Sequence, residues 1–361
     1  MNNVLVTGGA GFIGSCFVRT LLKHDPEVRV VTLDALTYAG SLENLRELAD
    51  PARHTFVHGD ICDQELVLSL FREYEIDTLA HFAAESHVDR SILGPAPFIQ
   101  TNVLGTFSLL EAARSAWSND HTSTGEARRF LHISTDEVYG SLGPADPPFS
   151  ETTPYAPNSP YAASKAASDH LVQAYAHTYR LPAVITNCSN NYGPYQFPEK
   201  LVSLVILNAS EGKSLPVYGD GGQIRDWLFV EDHCEALELV LRRGGSGQTY
   251  NIGGGNQLTN LEMVERICGI MDEVRPESPW IPHRSLIRFV EDRPGHDRRY
   301  AMDFGKIGSE LGWRPRHTLT EGMRKTVEWY LEHPEWVASV TAKPDYQSWL
   351  EANYVARGET R

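Results

Sequence analysis

The stretch MNNVLVTGGAGFIGSCFVRTLLKHD (residues 1–25) decides the fold. Its run NVLVTG is apolar and β-branched, as is typical of a buried strand, and SCFVRTLLKH carries the apolar stripe of a helix. Between the two, TGGAGFIG places Gly8, Gly11 and Gly14. Glycines permit a tight turn there, and the missing side chains let backbone N–H groups approach a pyrophosphate at the helix N-terminus. The stretch therefore predicts a dinucleotide site.

Asp34 strengthens this prediction, since it lies twenty positions after Gly14 at the end of the second predicted strand. A carboxylate at that point would bind the adenosine ribose and repel a 2′-phosphate, so the sequence favours NAD over NADP. Asp60 and Ile61 follow the third predicted strand and are expected to flank the adenine. A simple helix cap is the alternative for Asp60.

Outward from this turn, strands and helices alternate along the first half of the chain. The pattern predicts strands at 3–8, 28–34, 54–60, 78–84, 129–134 and 183–189, and helices at 15–24, 65–74, 101–116 and 161–179. Such alternation implies right-handed crossovers and an α/β fold, a Rossmann-type doubly wound parallel sheet that binds ligands at the carboxyl ends of its strands.

The second half of the chain is richer in glycine and proline, as in NNYGPYQFPEK and EDRPGHD. We expect residues 1–190 to form the NAD-binding domain with the catalytic residues, and residues 191–361 to form a smaller, loop-rich substrate-binding lobe. Its predicted helices are 201–211, 232–242, 260–273 and 320–332, and the segments 226–230 and 249–252 are candidates to return to the sheet. The polar stretch 118–128 is expected to be a surface connection without a function.

The composition excludes several classes of protein. A formal charge of −15 over 361 residues argues against a nucleic-acid binder. The N-terminus lacks the basic and apolar regions of a signal peptide, and no run approaches the roughly 18 apolar residues of a membrane span. Five scattered cysteines without a CxxC pair predict neither disulfides nor a metal site. We therefore expect a cytoplasmic protein with reduced thiols, mostly in the core.

A tyrosine and a lysine form the second chemical signal. The string YAASK puts Tyr161 and Lys165 at i and i+4, on one face of a helix. An ammonium group beside a phenol lowers the pKa of the phenol and prepares it to act as a base, and an oxidised nicotinamide would act in the same direction. Ser134 and Thr135 lie at a strand end, and a hydroxyl there could hydrogen-bond the substrate oxygen from which the tyrosine would take a proton.

Together these motifs resemble the extended short-chain dehydrogenase/reductase superfamily. Longer strings are similar to those of dTDP-glucose 4,6-dehydratases, from about Asn3 to the YQSWLEANY tail: FAAESHVDRSI, STDEVYG, SPYAASKAASDHLV, NCSNNYGPYQFPEKL, IRDWLFVEDH and DRPGHDRRYAMD. This resemblance is more specific than the superfamily motifs. It implies NAD as cofactor, dTDP-glucose as substrate, and a homodimer formed by a four-helix interface of segments 101–116 and 161–179.

The resemblance also gives a role to two adjacent carboxylates. It implies that Glu137 is the base that removes the C5 proton and that Asp136 is the acid that protonates the leaving C6 hydroxyl. Close like charges would keep one proton available at pH 7. Adjacent residues of a strand point in opposite directions, so both can serve one substrate only if the chain leaves strand geometry after Ser134. The alternative is a solvated acidic turn.

Three cations are candidates for the substrate diphosphate: Lys200, Arg225 and Arg293. The resemblance adds further substrate contacts at Ser86, Thr135, Asn190, Leu201, Pro216, Tyr218, Asn260 and His296. It adds cofactor contacts at Phe12, Ile13, Thr37, Ala83, Ala84, Thr101 and Asn191, beside Tyr161 and Lys165. Arg298, Arg299 and Tyr300 could serve the substrate or make surface ion pairs, and His87 is expected to have a positioning or structural role.

Three other functions stay open at this point. An NAD-dependent nucleotide-sugar 4-epimerase would share Tyr161 and Lys165 but would leave Asp136 and Glu137 unexplained. A dehydratase of a UDP- or CDP-sugar would differ only in the shape of the pocket around the base. A non-catalytic NAD-binding protein is disfavoured because Tyr161, Lys165 and Glu137 are all present. Use of the product in rhamnose or another deoxysugar rests on the resemblance alone.

Overall fold

A computed structural model describes residues 1–118 and 128–350. Its strands are β1 (Asn3–Thr7), β2 (Arg29–Asp34), β3 (His54–His58), β4 (Thr78–His81), β5 (Arg129–Thr135), β6 (Ala183–Cys188), β7 (Asn190–Tyr192), β8 (Leu215–Tyr218), β9 (Ile224–Phe229), β10 (Thr249–Ile252), β11 (Gln257–Thr259) and β12 (Ile287–Val290). Seven strands form one parallel sheet in the order β3-β2-β1-β4-β5-β6-β10. This confirms the predicted doubly wound fold.

Thirteen α-helical segments are described around these strands. They are α1 (Phe12–His24), α2 (Gln64–Glu73), α3 (Val88–Leu93), α4 (Ala96–Phe98), α5 (Thr106–Ser118), α6 (Pro160–Tyr179), α7 (Leu201–Ser210), α8 (Val230–Arg243), α9 (Asn260–Val274), α10 (Gly305–Leu311), α11 (Leu319–Glu332), α12 (Pro334–Thr341) and α13 (Pro344–Leu350). All eight predicted helices are present. The first begins three residues earlier than predicted because the glycine turn leads directly into it.

The helix predicted at 101–116 is longer and less regular than expected. It includes α4, a π-helical segment at Ile99–Gly105 and α5. Within the π-helical segment, the buried Asn102 side chain bonds both backbone groups of Glu85, accepting from its N–H at 2.9 Å and donating to its C=O at 3.0 Å. This amide therefore fixes the loop after β4, which leads to the predicted ligand sites.

The second half of the chain contributes to both lobes. As predicted, residues 249–252 return to the main sheet, where β10 pairs with β6. The same expectation for 226–230 is wrong, because β9 lies in a separate three-stranded sheet between β7 and β11. Two long-range ladders, antiparallel to β11 and parallel to β7, hold β9 there. The domain boundary at residue 190 stays a prediction.

The C-terminal helices reach back to the loop after β2. Trp336 of α12 donates from Nε1 to Asn44 Oδ1 at 2.7 Å, although the two residues are 292 positions apart. Lys343, just before α13, donates from Nζ to the carbonyl oxygens of Tyr38 at 3.1 Å and Gly40 at 2.6 Å. The end of the second lobe thus covers part of the first.

The remaining predictions concern the surface connection, the C-terminal string, membrane spans, metal sites and cysteines. The segment 119–127, most of the predicted surface connection, lies outside the described residues, as do residues 351–354 of the YQSWLEANY string. Within the described ranges, no helix is long and apolar enough to cross a membrane, and no group of three His, Cys, Asp or Glu side chains could hold a metal ion. Four of the five free cysteines are buried, as expected, and Cys62 is half-buried.

Candidate active site

A cavity of about 470 Å³ lies at the carboxyl ends of the sheet strands, and residues from both halves of the chain line it. Every residue that the sequence predicts as catalytic, cofactor-binding or substrate-binding lines it. These residues come from the loops after β1, β2, β3, β4, β5 and β6 and from the second lobe. The fold therefore brings the whole predicted set together, in the place where a parallel sheet binds its ligands.

The glycine turn forms a cradle that side chains would fill. A Cβ atom on Gly14 would lie 2.2 Å from the carbonyl oxygen of Gly8. Gly8 itself has φ +70°, and a Cβ atom there would lie 2.5 Å from the nitrogen of Ala83. Gly11 is the N-cap of α1 and offers no side chain to the first N–H groups of the helix. Those N–H groups stay available to a phosphate, so the turn fits a dinucleotide.

Asp34 lies at the end of β2 with its carboxylate held by the backbone. It accepts hydrogen bonds from the N–H groups of Ala10 at 2.9 Å and Leu36 at 2.8 Å. Burial raises its pKa, while these two hydrogen bonds and the charge of Lys343 act in the opposite direction. The geometry thus holds the carboxylate at the cavity wall, where the ribose of a dinucleotide is expected.

Asp60 does not cap a helix. Helix α2 is capped by Asp63, whose side chain accepts from the N–H of Leu66. Asp60 instead accepts from the N–H of Cys62 at 2.8 Å and lines the cavity beside Ile61. The helix-cap alternative is therefore wrong, and the expected position beside the adenine stays a prediction.

The chain leaves strand geometry at the two carboxylates, as the dehydratase hypothesis requires. Strand β5 ends at Thr135, one residue later than predicted, and a 3-10 turn follows over Asp136–Tyr139. The Thr135 hydroxyl caps that turn by accepting from the N–H of Glu137 at 3.3 Å. Gly140 ends it with φ +89°, a conformation that L side chains rarely adopt. Both carboxylates line the same cavity.

The two carboxylates differ in their surroundings. Burial, and next the charge of Glu137, raise the pKa of Asp136 well above its usual value. Burial also raises the pKa of Glu137, but Arg293, Lys200 and Arg225 oppose that shift. These surroundings favour Asp136 as the acid of the pair and Glu137, beside the three cations, as the base.

Tyr161 and Lys165 lie on the first turns of α6. The helix begins with Ser159 as N-cap, whose hydroxyl accepts from the N–H of Ala162 at 3.1 Å. Lys165 donates from Nζ to the carbonyl oxygen of Ile133 at 2.7 Å. The lysine side chain thus joins α6 to β5, two residues before Thr135.

The predicted lowering of the Tyr161 pKa is not met in the structure. Burial raises the pKa of this phenol well above its usual value, and the charge of Glu137 adds to the shift, while a hydrogen bond with Thr135 opposes it. Burial likewise lowers the pKa of Lys165. Desolvation outweighs the pairing on which the sequence argument relied. A cation bound beside the phenol would act against this shift.

The three predicted cations surround the other end of the cavity. Lys200 donates to the carbonyl oxygen of Ser86 at 3.1 Å, and Arg293 lies 3.2 Å from Asp89. The buried Arg225 guanidinium stacks over the ring of Tyr300 with 4.2 Å to its centre. Each contact fixes a long side chain whose charge would face a diphosphate.

The sequence reasoning missed several buried polar groups of the cavity wall. Asp89 accepts from Tyr218 at 3.3 Å as well as pairing with Arg293, and Glu199 lies 3.3 Å from Arg90. Both occur inside quoted strings, HVDRSI and FPEKL, where they directly precede a basic residue. A charged pair beside a predicted ligand residue is the signal that could have found them.

Four further residues, whose roles the sequence left open or did not place in the catalytic steps, have different surroundings: Arg298, Arg299, Tyr300 and His87. Arg298 pairs with the exposed Asp220 at 2.9 Å, and Arg299 bonds the Gln257 side chain at 2.9 Å. Neither lines the cavity, so the ion-pair alternative holds for Arg298, and Arg299 makes surface contacts. Tyr300 is buried beneath Arg225 and also lies outside the cavity lining. His87 is buried at the start of α3 and lines the cavity, and burial lowers its pKa well below the usual value, which is poor for a base.

Comparisons with known proteins agree with this site. Residues 5–326 match the family model described as GDP-mannose 4,6 dehydratase. A dTDP-glucose 4,6-dehydratase of Salmonella typhimurium is 56% identical over 98% of this chain and 99% of its own length. A crystal structure of a dTDP-glucose 4,6-dehydratase from Streptomyces venezuelae with NAD bound is 48% identical and covers 94% of this chain and 99% of its own, with a TM-score of 0.84.

An epimerase is also similar, but less so. The UDP-glucose 4-epimerase of Thermus thermophilus, crystallised with NAD, is 32% identical and covers 91% of this chain and 99% of its own, with a TM-score of 0.79. It shares the fold, whereas the dehydratases share both the fold and about half of all residues. The chain therefore belongs to the family described by the GDP-mannose 4,6 dehydratase model and, within it, to the dTDP-glucose 4,6-dehydratases.

Proposed function

We propose that this protein is an NAD-dependent hydro-lyase that converts dTDP-glucose to dTDP-4-keto-6-deoxyglucose. The observation that carries the proposal is the 3-10 turn after β5. It presents the carboxyl groups of Asp136 and Glu137 to the same cavity as Tyr161, and the pKa of Asp136 is raised well above its usual value while three cations oppose the rise at Glu137. A simple oxidation or an epimerisation needs no such pair, whereas removal of water needs both an acid and a base.

The first proton transfer involves the residues at the start of α6. Tyr161 takes the proton of the substrate 4-hydroxyl, and Thr135 hydrogen-bonds the same oxygen. Lys165, whose charge lies one helical turn from the phenol, stabilises the phenolate that this transfer needs. NAD held by the glycine turn and Asp34 would supply the hydride acceptor for the oxidation at C4 and the hydride for the reduction at C6.

The elimination uses the two carboxylates. A ketone at C4 makes the C5 proton acidic, because the carbanion is stabilised as an enolate. Glu137 removes that proton, and Asp136 gives its proton to the departing C6 hydroxyl. Glu137 then returns a proton to C5. An acid and a base are favoured by unlike surroundings: burial and the charge of Glu137 raise the pKa of Asp136, whereas cations oppose the rise at Glu137.

The substrate lobe supplies the binding energy. Lys200, Arg225 and Arg293 are proposed to neutralise the diphosphate of the substrate, locally reversing the acidic character of the chain. Glu137 shares these cations, since all three lower its pKa. Binding of the diphosphate and the charge of the catalytic base are therefore linked through the same side chains.

We also propose that the chain forms a homodimer in the cytoplasm and serves deoxysugar synthesis, rhamnose being one product. Four exposed large hydrophobic side chains on the segment 99–118 and on α6 support the dimer: Ile99, Leu104, Phe107 and Tyr179. These are the helices of the predicted four-helix interface. Light scattering of the purified protein tests it, and a monomeric mass would contradict it.

Mass spectrometry in heavy water tests the activity. The protein is incubated with dTDP-glucose without added reductant. We expect loss of one water and gain of one non-exchangeable deuterium at C5. Conversion to the galactose epimer at unchanged mass would instead support the 4-epimerase. If neither occurs, UDP- and CDP-glucose are the next substrates, and inactivity with all three would favour the non-catalytic function.

A further inference from the structure

We propose that Asp169 is a positioning residue for this reaction, fastening the ends of β5 and β6 to helix α6 and facing Lys165 as its counter-charge. The inference rests on the proposed function. Asp169 is fully buried and lies one helical turn beyond Lys165. Nothing in the catalytic steps above uses it, so its burial needs another explanation, because an ionisable carboxyl is costly to remove from water.

Its carboxylate gathers hydrogen bonds from three separate segments. Oδ2 accepts from the hydroxyl of Ser134 at 2.8 Å and from the phenol of Tyr155 at 2.9 Å. It also accepts from Nδ2 of Asn187 at 3.4 Å, and the same amide donates to the carbonyl oxygen of Thr135 at 3.1 Å. The carboxylate therefore holds the last residues of β5 directly and through β6.

His132 supplies the other side of the arrangement. Its Nε2 lies 3.1 Å from Asp169 Oδ1, and both side chains are fully buried. Burial, and next the charge of Lys165, lower the pKa of His132. The neighbouring lysine thus disfavours a positive imidazole, and its own charge interacts favourably with that of Asp169, the next lysine-facing position one helical turn along α6.

Lys165 and Asp169 act on the same short piece of chain. Lys165 bonds the carbonyl oxygen of Ile133, and Asp169 bonds the next side chain, Ser134. The catalytic turn begins two residues later, at Asp136. Two neighbouring groups of α6 therefore set where Thr135 and the carboxylates lie relative to Tyr161. Burial lowers the pKa of Lys165, and the charge of Asp169 is the first group that opposes this.

The charged groups around Lys165 and Asp169 affect how the pH dependence of kcat is interpreted. Other titratable groups also face it from the packed elements: His81 on β4, His132 on β5, Asp136, Glu137 and Tyr139 on the 3-10 turn, Tyr155 on the following loop, Tyr161 on α6 and Cys188 on β6. Of these, Asp136, Glu137 and Tyr161 exchange protons in the proposed reaction, and the variants compared below leave all three, and thus both carboxylates, in place. A change at Asp169 is therefore recognised by comparison with variants that leave both of them in place.

The test compares Asp169→Asn with a matched control, Asp77→Asn. Asp77 is also a buried carboxylate, but it lies at the amino ends of the strands and bonds the N–H groups of Asn2 and Asn3 at 2.7 and 3.1 Å. Both variants lose one buried charge and keep the shape. We expect Asp169→Asn to lower kcat about 10- to 100-fold with KM for dTDP-glucose and bound NAD unchanged.

The pH dependence of kcat separates positioning from simple stability. Without its counter-charge, Lys165 loses its proton at lower pH, so we expect the alkaline limb of the Asp169→Asn profile to move to lower pH. Asp77→Asn should lower the melting temperature and leave that limb in place. If Asp169→Asn behaves like Asp77→Asn, Asp169 is structural only and the proposal is overturned.

Two further comparisons keep the test decisive. If Asp169→Asn does not fold, the pair Asp169→Glu and Asp169→Gln compares charge at equal volume, and only the Gln variant should show the shifted limb. Equal profiles for the two would overturn the proposal. Wild-type protein that converts no nucleotide sugar would instead contradict the proposed function, so the two failures are distinguishable.

Discussion

The cofactor half and the substrate half of the cavity are built in different ways. The cofactor half is centred on one turn of consecutive residues, where available backbone N–H groups and the absence of side chains fit a pyrophosphate. The substrate half depends on charged side chains such as Arg225 and Arg293, far apart in the sequence and held by buried partners. We therefore expect NAD binding to be lost when a substitution adds bulk to the turn. Substrate binding and turnover should instead be lost when a substitution removes a charge or a proton-transferring group.

The largest effect is expected at Glu137. Glu137→Gln removes the base but keeps the shape, so kcat should fall about 1000-fold, within the range for general-base catalysis. Deuterium incorporation at C5 should fall with it. Bound NAD, measured from the absorbance of the purified protein, should stay at the wild-type level. Loss of NAD in this variant would show that the two halves are not separable.

A substitution that adds bulk to the glycine turn tests the cofactor half in the same way. Gly14→Ala places a Cβ atom against the Gly8 carbonyl, where only 2.2 Å is available, so the turn and the start of α1 must move apart. A displacement of about 1 Å costs on the order of 100-fold, and we expect NAD affinity to fall by about that factor. Equilibrium dialysis measures it.

Gly269→Ala is the control for this change. It lies inside α9, and a Cβ atom there would meet nothing within 4 Å. NAD affinity should stay unchanged in that variant. Equal loss of NAD in both glycine variants would refute the steric explanation.

A smaller effect is expected for the cations. Arg293→Lys keeps the charge but loses the forked guanidinium, and a charge-assisted hydrogen bond contributes about 1.5–3 kcal/mol. KM for dTDP-glucose should rise about 10-fold or more, as initial-rate kinetics would record. Arg298→Lys is the matched variant, since Arg298 pairs with the exposed Asp220 outside the cavity, and its KM should not change. A comparable rise in both would argue against a diphosphate site at Arg293.

The smallest effect concerns stability, at the buried His233 of α8, which contacts Asn191 of the cavity wall. Its Nδ1 lies 2.9 Å from Asn191 Oδ1, and burial lowers its pKa to about 3. The unfolded chain takes up this proton below about pH 6.5, whereas the folded protein does not, so stability is lost as the pH falls.

Between pH 6 and pH 5, wild type should therefore lose about 1 kcal/mol more unfolding free energy than His233→Asn. Urea unfolding at the two pH values gives the difference. His177→Asn, on the exposed side of α6, should follow wild type. Parallel losses in wild type and His233→Asn would show that His233 does not account for this part of the pH dependence.

The same contrast explains what the sequence could predict. The glycine turn, Asp34 and the Tyr161–Lys165 pair are local patterns, so the fold class and the cofactor half follow from short stretches. Lys200, Arg225 and Arg293 could be named as candidate cations for a diphosphate, but no local pattern shows that they meet in one cavity, and the other substrate contacts depended on the family resemblance. The raised pKa of Tyr161 was missed, since burial is a property of the folded chain.

Other features depended wholly on long-range contacts. The π-helical segment around Asn102 has no local sequence signal that we recognised, and the Asn102 side chain bonds Glu85, seventeen positions away. Strand β9 looked like a strand of the main sheet, yet its partners are β7 and β11, whose short runs gave no strand signal. Nothing in the local sequence distinguishes Asp169 from other helix residues, because its hydrogen-bond partners lie on three other segments of the chain.

The reach of the C-terminal helices has a consequence for synthesis on the ribosome. Strands β1 and β2 and the glycine turn are made first, but the loop after β2 meets Trp336 and Lys343 only when nearly the whole described chain has emerged. A nascent chain that ends before residue 334 would therefore present an uncovered loop beside Asp34. We expect NAD to exchange faster from such a chain than from the released protein. The bound cofactor would then be enclosed only after the C-terminal helices have been synthesised and have packed on this loop.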